Sequence, residues 1–92
     1  MTSTRFIITV IGIDKIGIVA KVTGIMAEYS VNIVDISQTI MEDLFTMIML
    51  AEAKGDNFDM NDFQNTMQDA GEKLGVDIRV QHEDVFRFMH RI

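Results

Sequence analysis

Two hydrophobic periodicities alternate along the chain, and together they predict six elements of secondary structure. Where apolar residues are β-branched or aromatic and run continuously or alternate, the pattern is typical of a strand. Where they recur every three to four residues, the pattern is typical of a helix. The predicted elements, in chain order, are a strand over 5–12, a helix over 16–29, a strand over 33–41, a strand over 44–51, a helix over 60–74 and a strand over 77–83.

This β-α-β-β-α-β order predicts an α+β fold, the ferredoxin-like two-layer sandwich. The first and third strands are apolar on both faces and belong in the centre of the sheet. The second and fourth alternate, so we expect half-buried strands at the edges. With right-handed crossovers, the simple solution is an antiparallel sheet of order 4-1-3-2. The turn between the second and third strands falls at Glu42-Asp43, and Asp59 and Gly75 are placed to cap the second helix.

Two helices cover only one face of a four-stranded sheet, yet the third strand is apolar on both. One face carries Phe45, Met47 and Met49, and the other carries Leu44, Ile48 and Leu50. An exposed patch of that size is a liability. We therefore predict a homodimer, helped by a short amphipathic tail helix over about 84–92; the alternative is a monomer whose tail suffices. Edge-to-edge and face-to-face dimers both remain open. The apolar positions of the tail are Val85, Phe88, Met89 and Ile92.

Composition narrows the class of protein. The 92 residues make one domain, spanning 1–92, and contain no Cys, so disulfide and thiolate chemistry are excluded. The net charge of −6 disfavours nucleic-acid binding. No apolar stretch approaches the length of a membrane helix, and the first residues do not resemble a signal peptide. We expect a cytoplasmic protein that binds neither nucleic acid nor membrane.

Side chains for catalysis are sparse, so we expect no enzyme, no catalytic residue, no metal site and no cofactor. The two histidines, His82 and His90, both lie near the C-terminus without recognisable metal-ligand spacing. His82 falls on the apolar side of the last strand, which favours a core histidine. The carboxylates near the hairpin favour a solvated turn over a general acid–base pair; they are Glu42, Asp43 and Glu52.

The most informative segment joins the first strand to the first helix over residues 12–19. The N-terminus of a helix offers unpaired N–H groups and the positive end of a dipole, which suits a carboxylate ligand. Gly17 removes a side chain where a ligand would approach the backbone. Asp14 can either cap the helix or bind a ligand ammonium group. From this pattern alone, a purely structural role for both residues is the stronger interpretation.

Two segments of the chain resemble the signature segments of ACT domains. They are Asp14-Lys15-Ile16-Gly17-Ile18-Val19 and Asn32-Ile33-Val34-Asp35-Ile36-Ser37-Gln38. The resemblance covers nearly the whole chain. More narrowly, the chain is similar to free-standing single ACT domains related to the N-terminal half of a glycine cleavage system transcriptional repressor. It implies a regulatory βαββαβ module that binds amino acids or related metabolites, usually at a dimer interface.

The resemblance also implies site residues. In ACT domains the loop between the first strand and the first helix holds the ligand, and the Asn at the start of the second strand lines the same pocket. Carried onto this chain, the ligand-binding residues are Asp14, Lys15, Ile16, Gly17, Ile18, Asn32, Ile33 and Asp35. No enzyme or DNA-binding domain is attached, so we expect the module to act in trans on a protein partner. The competing hypothesis is a protein-interaction module without a small ligand.

Overall fold

The computed structural model describes residues 3–13, 17–55 and 57–84 of the chain. These residues form four strands and two helices in the predicted order. The first three strands run beyond their predicted bounds, because ladder pairing between the first and third continues as far as Ser3 and Lys54. The elements are β1 Ser3–Ile13, α1 Ile18–Glu28, β2 Val31–Met41, β3 Leu44–Lys54, α2 Met60–Leu74 and β4 Asp77–His82.

The four strands form one antiparallel sheet in the order β2-β3-β1-β4, with α1 and α2 against one face. The predicted fold class and the predicted strand order 4-1-3-2 are both confirmed. The strands that are apolar on both faces, β1 and β3, occupy the centre. The face of the sheet that points away from the helices is called the open face below.

The core lies between the helices and the sheet, and aromatic rings form one end of it. The Phe6 ring stacks on Phe58 at a centroid distance of 5.4 Å and meets Phe63 edge-on at 5.3 Å. Tyr29 meets Phe63 edge-on at 5.2 Å. Full burial of each such ring contributes about 1.5–3 kcal/mol. Phe6 and Phe45 both point into this core, so the open face of the described strands carries no aromatic side chain, unlike the sheets that stack RNA bases.

Helix α2 has the ends that the sequence predicts. The Asp59 carboxylate accepts a hydrogen bond from the Asp62 N–H at 3.1 Å and so caps the first turn. Gly75 ends the helix in the left-handed conformation, with φ 75°. The turn at Glu42-Asp43 is also confirmed, and Glu42 adopts φ 57° there, which a side chain other than Gly or Asn seldom does.

The prediction that β2 is half-buried is wrong. Val31 is buried, whereas Asn32 to Met41 are all exposed. The two helices pack over β1 and β3 and reach only the first residue of the edge strand. A bulge between Ile33 and Asp35 leaves Val34 outside the ladder, which is a common feature of edge strands. β2 is therefore an eleven-residue edge strand with apolar side chains in solvent.

The prediction that His82 is a core residue is also wrong. Its side chain is half exposed at the end of β4, and its Nδ1 accepts a hydrogen bond from the Asp84 N–H at 3.2 Å. β4 alternates as predicted, but it ends at His82, where the helices no longer cover the sheet. Of the tail helix predicted over about 84–92, only Asp84 lies within the described residues. Within the described part of the chain, neither helix has the length and apolar character needed to cross a membrane.

Candidate functional site

Helix α1 begins at a glycine whose backbone conformation is special. Gly17 is the N-cap residue with φ 94° and ψ −4°, in the left-handed region that favours glycine. Its carbonyl accepts the first helical hydrogen bond, from the Lys21 N–H at 2.9 Å. A Cβ built at this position would meet no atom within 4 Å. Gly17 is therefore needed for its backbone conformation, and the space beside it is open.

Among the described residues, no side chain caps the N-terminus of α1, because its N-cap residue is a glycine. The first turn of the helix contains no acidic residue. The first N–H groups of any helix lack intrahelical partners, so those of Ile18, Val19 and Ala20 can donate hydrogen bonds to a group outside the helix. The N-cap residue is Gly17, and the two roles predicted for Asp14, capping the helix or binding a ligand ammonium group, concern a residue outside the described ones. Together with the helix dipole, this leaves a small anion-binding surface.

The predicted site residues around the loop contribute unequally. Asp14, Lys15 and Ile16 lie outside the described residues. The side chain of Ile18 is buried in the core beside Val22, so only its backbone N–H faces the candidate site. Val19 is exposed next to Gly17. The buried residues of α1 are Ile18, Val22, Ile25 and Met26.

The other predicted site residues lie on β2. Asn32 and Asp35 share the open face, since they pair with Glu52 and Leu50. Ile33 pairs with Ala51 and faces the helix side, where it is exposed. The Asp35 carboxylate accepts a hydrogen bond from the Ile36 N–H at 2.9 Å, which holds it close to the strand.

The structure does not bring the two groups of predicted residues together within one copy. Ile13, which leads towards Gly17, pairs with Leu44, and Leu44 pairs with Met41. Asn32 pairs with Glu52 on β3, and Glu52 pairs with Arg5 on β1. Arg5 and Ile13 are eight residues apart on β1, or about 26 Å. Asn32 and the N-terminus of α1 therefore stand at opposite ends of the sheet.

The C-terminal end of α1 is fastened to the start of α2. The Tyr29 hydroxyl donates a hydrogen bond to the Asp62 carboxylate at 2.6 Å and lies 2.8 Å from the Thr66 hydroxyl. The hydrogen bond to Asp62 raises the pKa of the Tyr29 phenol above its usual value. A shallow cleft of about 470 Å³ opens here, also lined by Lys54 and Phe58. Two of the carboxylates that line the cleft already have structural roles, since Asp59 caps α2 and Asp62 accepts the hydrogen bond from Tyr29.

The described residues contain no group of three or more His, Asp or Glu side chains close enough to hold a metal ion. His82 and Asp84 form a pair at the surface, with 3.8 Å between His82 Nδ1 and an oxygen of the Asp84 carboxylate. Within the described residues, the candidate site at the start of α1 consists of backbone donors and a glycine, a set suited to binding a ligand.

Comparison with known proteins gives a consistent family. The family model described as "ACT domain" matches residues 4–81. A protein of Methanosarcina acetivorans named only as a UPF0237 protein is 68% identical over 92 residues, which is 100% of both chains. A UPF0237 protein of Clostridium acetobutylicum is 48% identical over 88 residues, covering 96% of this chain and 99% of that one.

Solved structures agree with the fold. An ACT domain protein from Streptococcus pneumoniae has a TM-score of 0.79 and 39% identity, and the match covers 92% of this chain and 96% of that one. A putative glycine cleavage system transcriptional repressor has a TM-score of 0.77 at 21% identity, covering 88% of this chain and 46% of that chain. At that identity the second likeness concerns the fold alone.

Proposed function

The chain belongs to the ACT domain family of regulatory ligand-binding domains, and from that premise we propose that it binds an amino acid or a related small metabolite and acts in trans on a partner protein. The observation that carries the proposal is the uncapped N-terminus of α1 beside Gly17. On this proposal the protein has no catalytic activity of its own and works in the cytoplasm.

A carboxylate at this position would satisfy donors that the chain leaves unpaired. A negative charge at a helix N-terminus is stabilised by about 0.3–1 kcal/mol when exposed and by up to about 2 kcal/mol when partly buried. Ile18, Val19 and Ala20 are the first residues of the helix, so their N–H groups have no acceptor within it. From the sequence, Asp14 is placed in the same loop to bind the ammonium group of an amino acid.

We further propose that the site is completed by a second copy of the chain. ACT domains often form dimers, and β2 is an exposed edge strand with a row of unpaired backbone groups. If two copies pair antiparallel along β2, the start of one β2 lies beside the end of the other. Asn32 of the second copy is then brought to the end of the sheet where Met41 and Gly17 of the first copy lie.

Burial of apolar side chains supports pairing along β2. The helix side of the strand exposes Ile33, Ile36 and Ile40, and Val19 of α1 stands on the same flank. Each apolar side chain covered by a second copy would contribute about 25 cal/mol per Å² removed from water. The same pairing would also remove the open edge, which is otherwise a template for aggregation.

The first experiment is a thermal-shift screen of the purified protein against the amino acids and common central metabolites. At about 100 times its dissociation constant, a ligand stabilises the folded state by about 2.7 kcal/mol, which raises the Tm by roughly 10 °C in a domain of this size. Gly17→Asn should abolish the shift, because asparagine tolerates the left-handed conformation while its side chain fills the open space. A shift that survives Gly17→Asn would place the ligand elsewhere.

A mixing experiment tests whether two copies build one site. Gly17→Asn and Asn32→Ala each damage both sites of their own homodimer. When the two variants are mixed and allowed to exchange, every mixed dimer regains one site with Gly17 from one copy and Asn32 from the other. We expect calorimetry to detect binding in the mixture and not in either variant alone. Binding that never returns on mixing would show that the site does not span two copies.

The competing function, a protein-interaction module without a small ligand, is favoured by one observation. The open face exposes apolar side chains that neither helix covers, including Ile13 and Leu44. The two functions separate cleanly. A module of this kind would show no ligand-dependent shift, and Gly17→Asn would leave partner binding unchanged.

A further inference from the structure

The open face carries an exposed apolar patch at one of its ends. We call it the hairpin-end patch, and it consists of Ile11, Ile13, Met41, Leu44 and Ile48. The opposite end of the same face is closed. There, Ile7 is buried, and Arg5 lies 3.8 Å from the carboxylate of Glu83. The exposed apolar surface is therefore local and does not extend over the whole sheet.

The hairpin-end patch has the dimensions of a short helix. Ile13, Leu44 and Met41 stand side by side on three neighbouring strands, a width of about 10 Å. From Leu44 to Ile48 the patch runs four residues along β3, or about 13 Å. A helix is about 10 Å wide and rises 1.5 Å per residue, so roughly nine residues of helix span this length. A second four-stranded sheet would be wider than the patch.

The charge beside the patch is negative. Glu42 and Asp43 form the exposed tip of the hairpin, and neither pairs with a cation among the described residues. On the other flank Asp77 is already paired with Arg79 at 3.1 Å. The whole chain carries a net charge of −6. Among the described residues, the charge at the rim of the hairpin-end patch that has no cationic partner is therefore that of Glu42 and Asp43.

A second copy of the chain fits this surface poorly. It would bring the same acidic tip, Glu42 and Asp43, next to that of the first copy, and like charges placed close together across an interface suppress association. It would also offer a sheet, when the patch is only a few side chains across. Anionic lipid surfaces are disfavoured by the same negative rim.

We propose that the hairpin-end patch docks an amphipathic helix of another protein, with an apolar stripe against the five side chains and Lys or Arg residues beside Glu42 and Asp43. Helix-in-groove and helix-on-surface recognition commonly uses such spaced apolar anchors. This docking needs no small ligand, so it goes beyond the proposed function and is tested without it.

The test uses fluorescence anisotropy with three labelled peptides of about 18 residues, long enough to form a helix. The first has a Leu stripe at helical spacing with Lys flanks, the second has the same stripe with Glu flanks, and the third is a scramble of the first. We expect the first peptide to bind the protein about tenfold or more tighter than either control. Binding by the scramble as tight as by the first peptide would overturn the proposal, since charge alone would then account for it.

Two protein variants supply a matched control. Leu44 and Gln68 are both exposed, but Leu44 belongs to the hairpin-end patch on β3, whereas Gln68 lies on α2, away from the patch and from β2. Leu44→Asp should weaken the first peptide about tenfold, although it adds negative charge, whereas Gln68→Asp, which adds the same charge, should leave the affinity within about twofold. Equal losses in both variants, or no loss in Leu44→Asp, would overturn the assignment to the open face.

A charge reversal tests the acidic rim separately. The double change Glu42→Lys and Asp43→Lys should reverse the preference, so that the peptide with Glu flanks binds more tightly than the peptide with Lys flanks. An unchanged preference would contradict the role of these two carboxylates. Self-association of the unmodified protein that Leu44→Asp, a change on the inner strand β3, abolishes in sedimentation experiments would show that a second copy occupies the patch, and would equally overturn the proposal.

Discussion

The two helices begin in opposite ways, although they lie side by side on the same sheet. α2 begins at Asp59, whose carboxylate accepts the Asp62 N–H at 3.1 Å, and Asp62 adds a negative charge to the first turn. α1 begins at Gly17, with no side-chain cap and no acidic residue in its first turn. Among the described residues, a side chain caps α2 and none caps α1, which is why we propose that a ligand binds at the N-terminus of α1.

The two helices also differ in the space around the glycine in their interior. Gly71 of α2 lies so close to the following turn that an added Cβ would stand 2.9 Å from the Val76 carbonyl oxygen, whereas an added Cβ at Gly24 of α1 would meet nothing within 4 Å. α2 also ends at a left-handed glycine, Gly75, while α1 ends at Tyr29. α2 is therefore more closely packed around its interior glycine and has a more favourable C-terminal cap than α1.

The largest expected effect comes from replacing each of the two glycines inside the helices with alanine. Gly71→Ala should lower the free energy of unfolding by about 1–3 kcal/mol, because the new methyl group meets backbone that cannot move away. Gly24→Ala should raise it by about 0.5–1 kcal/mol, because alanine has the higher helix propensity and space is available. Urea denaturation measures both free energies of unfolding. If the two variants changed them in the same direction, the proposed difference in packing between α1 and α2 would be contradicted.

The caps give the next largest effect. Asp59→Ala should lower the free energy of unfolding by about 1 kcal/mol, since it removes the cap of α2. Asp59→Asn, which keeps a capping oxygen, is the control and should retain most of that stability. At the other helix, Gly17→Asn should cost less than Asp59→Ala, because asparagine tolerates the left-handed region and offers a cap. A greater loss in Gly17→Asn would contradict the view that α1 has an open N-terminus.

The tie between the helices should depend on pH. The hydrogen bond to Asp62 raises the pKa of Tyr29 in the folded state above that in the unfolded chain. The stabilisation is therefore fully present below pH of about 10, the unfolded value, and is lost as the pH rises through the folded value. Tm measured from pH 7 upward should show Tyr29→Phe below the unmodified protein at neutral pH, with the gap closing above pH of about 10. A gap that widens there would contradict this.

The smallest expected effect is that of a surface pair within α2. Asp69 and Lys73 stand at positions i and i+4 and are both exposed, with 3.0 Å between the Asp69 carboxylate and Lys73 Nζ. Lys73→Ala should change the free energy of unfolding by no more than about 0.5 kcal/mol, and less at high salt. A loss above about 1 kcal/mol would mean that the stability of α2 depends on surface charge as well as on its caps.

Sequence reasoning predicted those parts of the fold whose signals are local. Asp59 and Gly75 mark the ends of α2 by their own chemistry, and both ends are where the sequence predicted them. The strand order followed from β1 and β3 being apolar on both faces. Their placement follows from the sequence pattern alone, because a strand with two apolar faces is favoured at the centre of any sheet.

The burial of β2 and the arrangement of the site depend on features that no local pattern reports. The alternation of β2 predicted one buried face, but the helices stop short of the edge, so Ile36 and Ile40 remain in solvent. The bulge at Val34 is set by pairing with β3 and not by its own residue type. Asn32 and Gly17 were predicted in one site, and the ladder register puts them at opposite ends of the sheet.

The measurement that tests the central claim most directly is an NMR titration of the ¹⁵N-labelled protein with the amino acids and metabolites that raise its Tm. The account predicts that the amide signals of Gly17, Ile18, Val19 and Ala20 shift saturably, while those of Met60 to Asp62 at the capped start of α2 stay unchanged. Saturable shifts confined to α2, or to neither helix, would contradict the claim that the chain leaves the N-terminus of α1 open for a ligand.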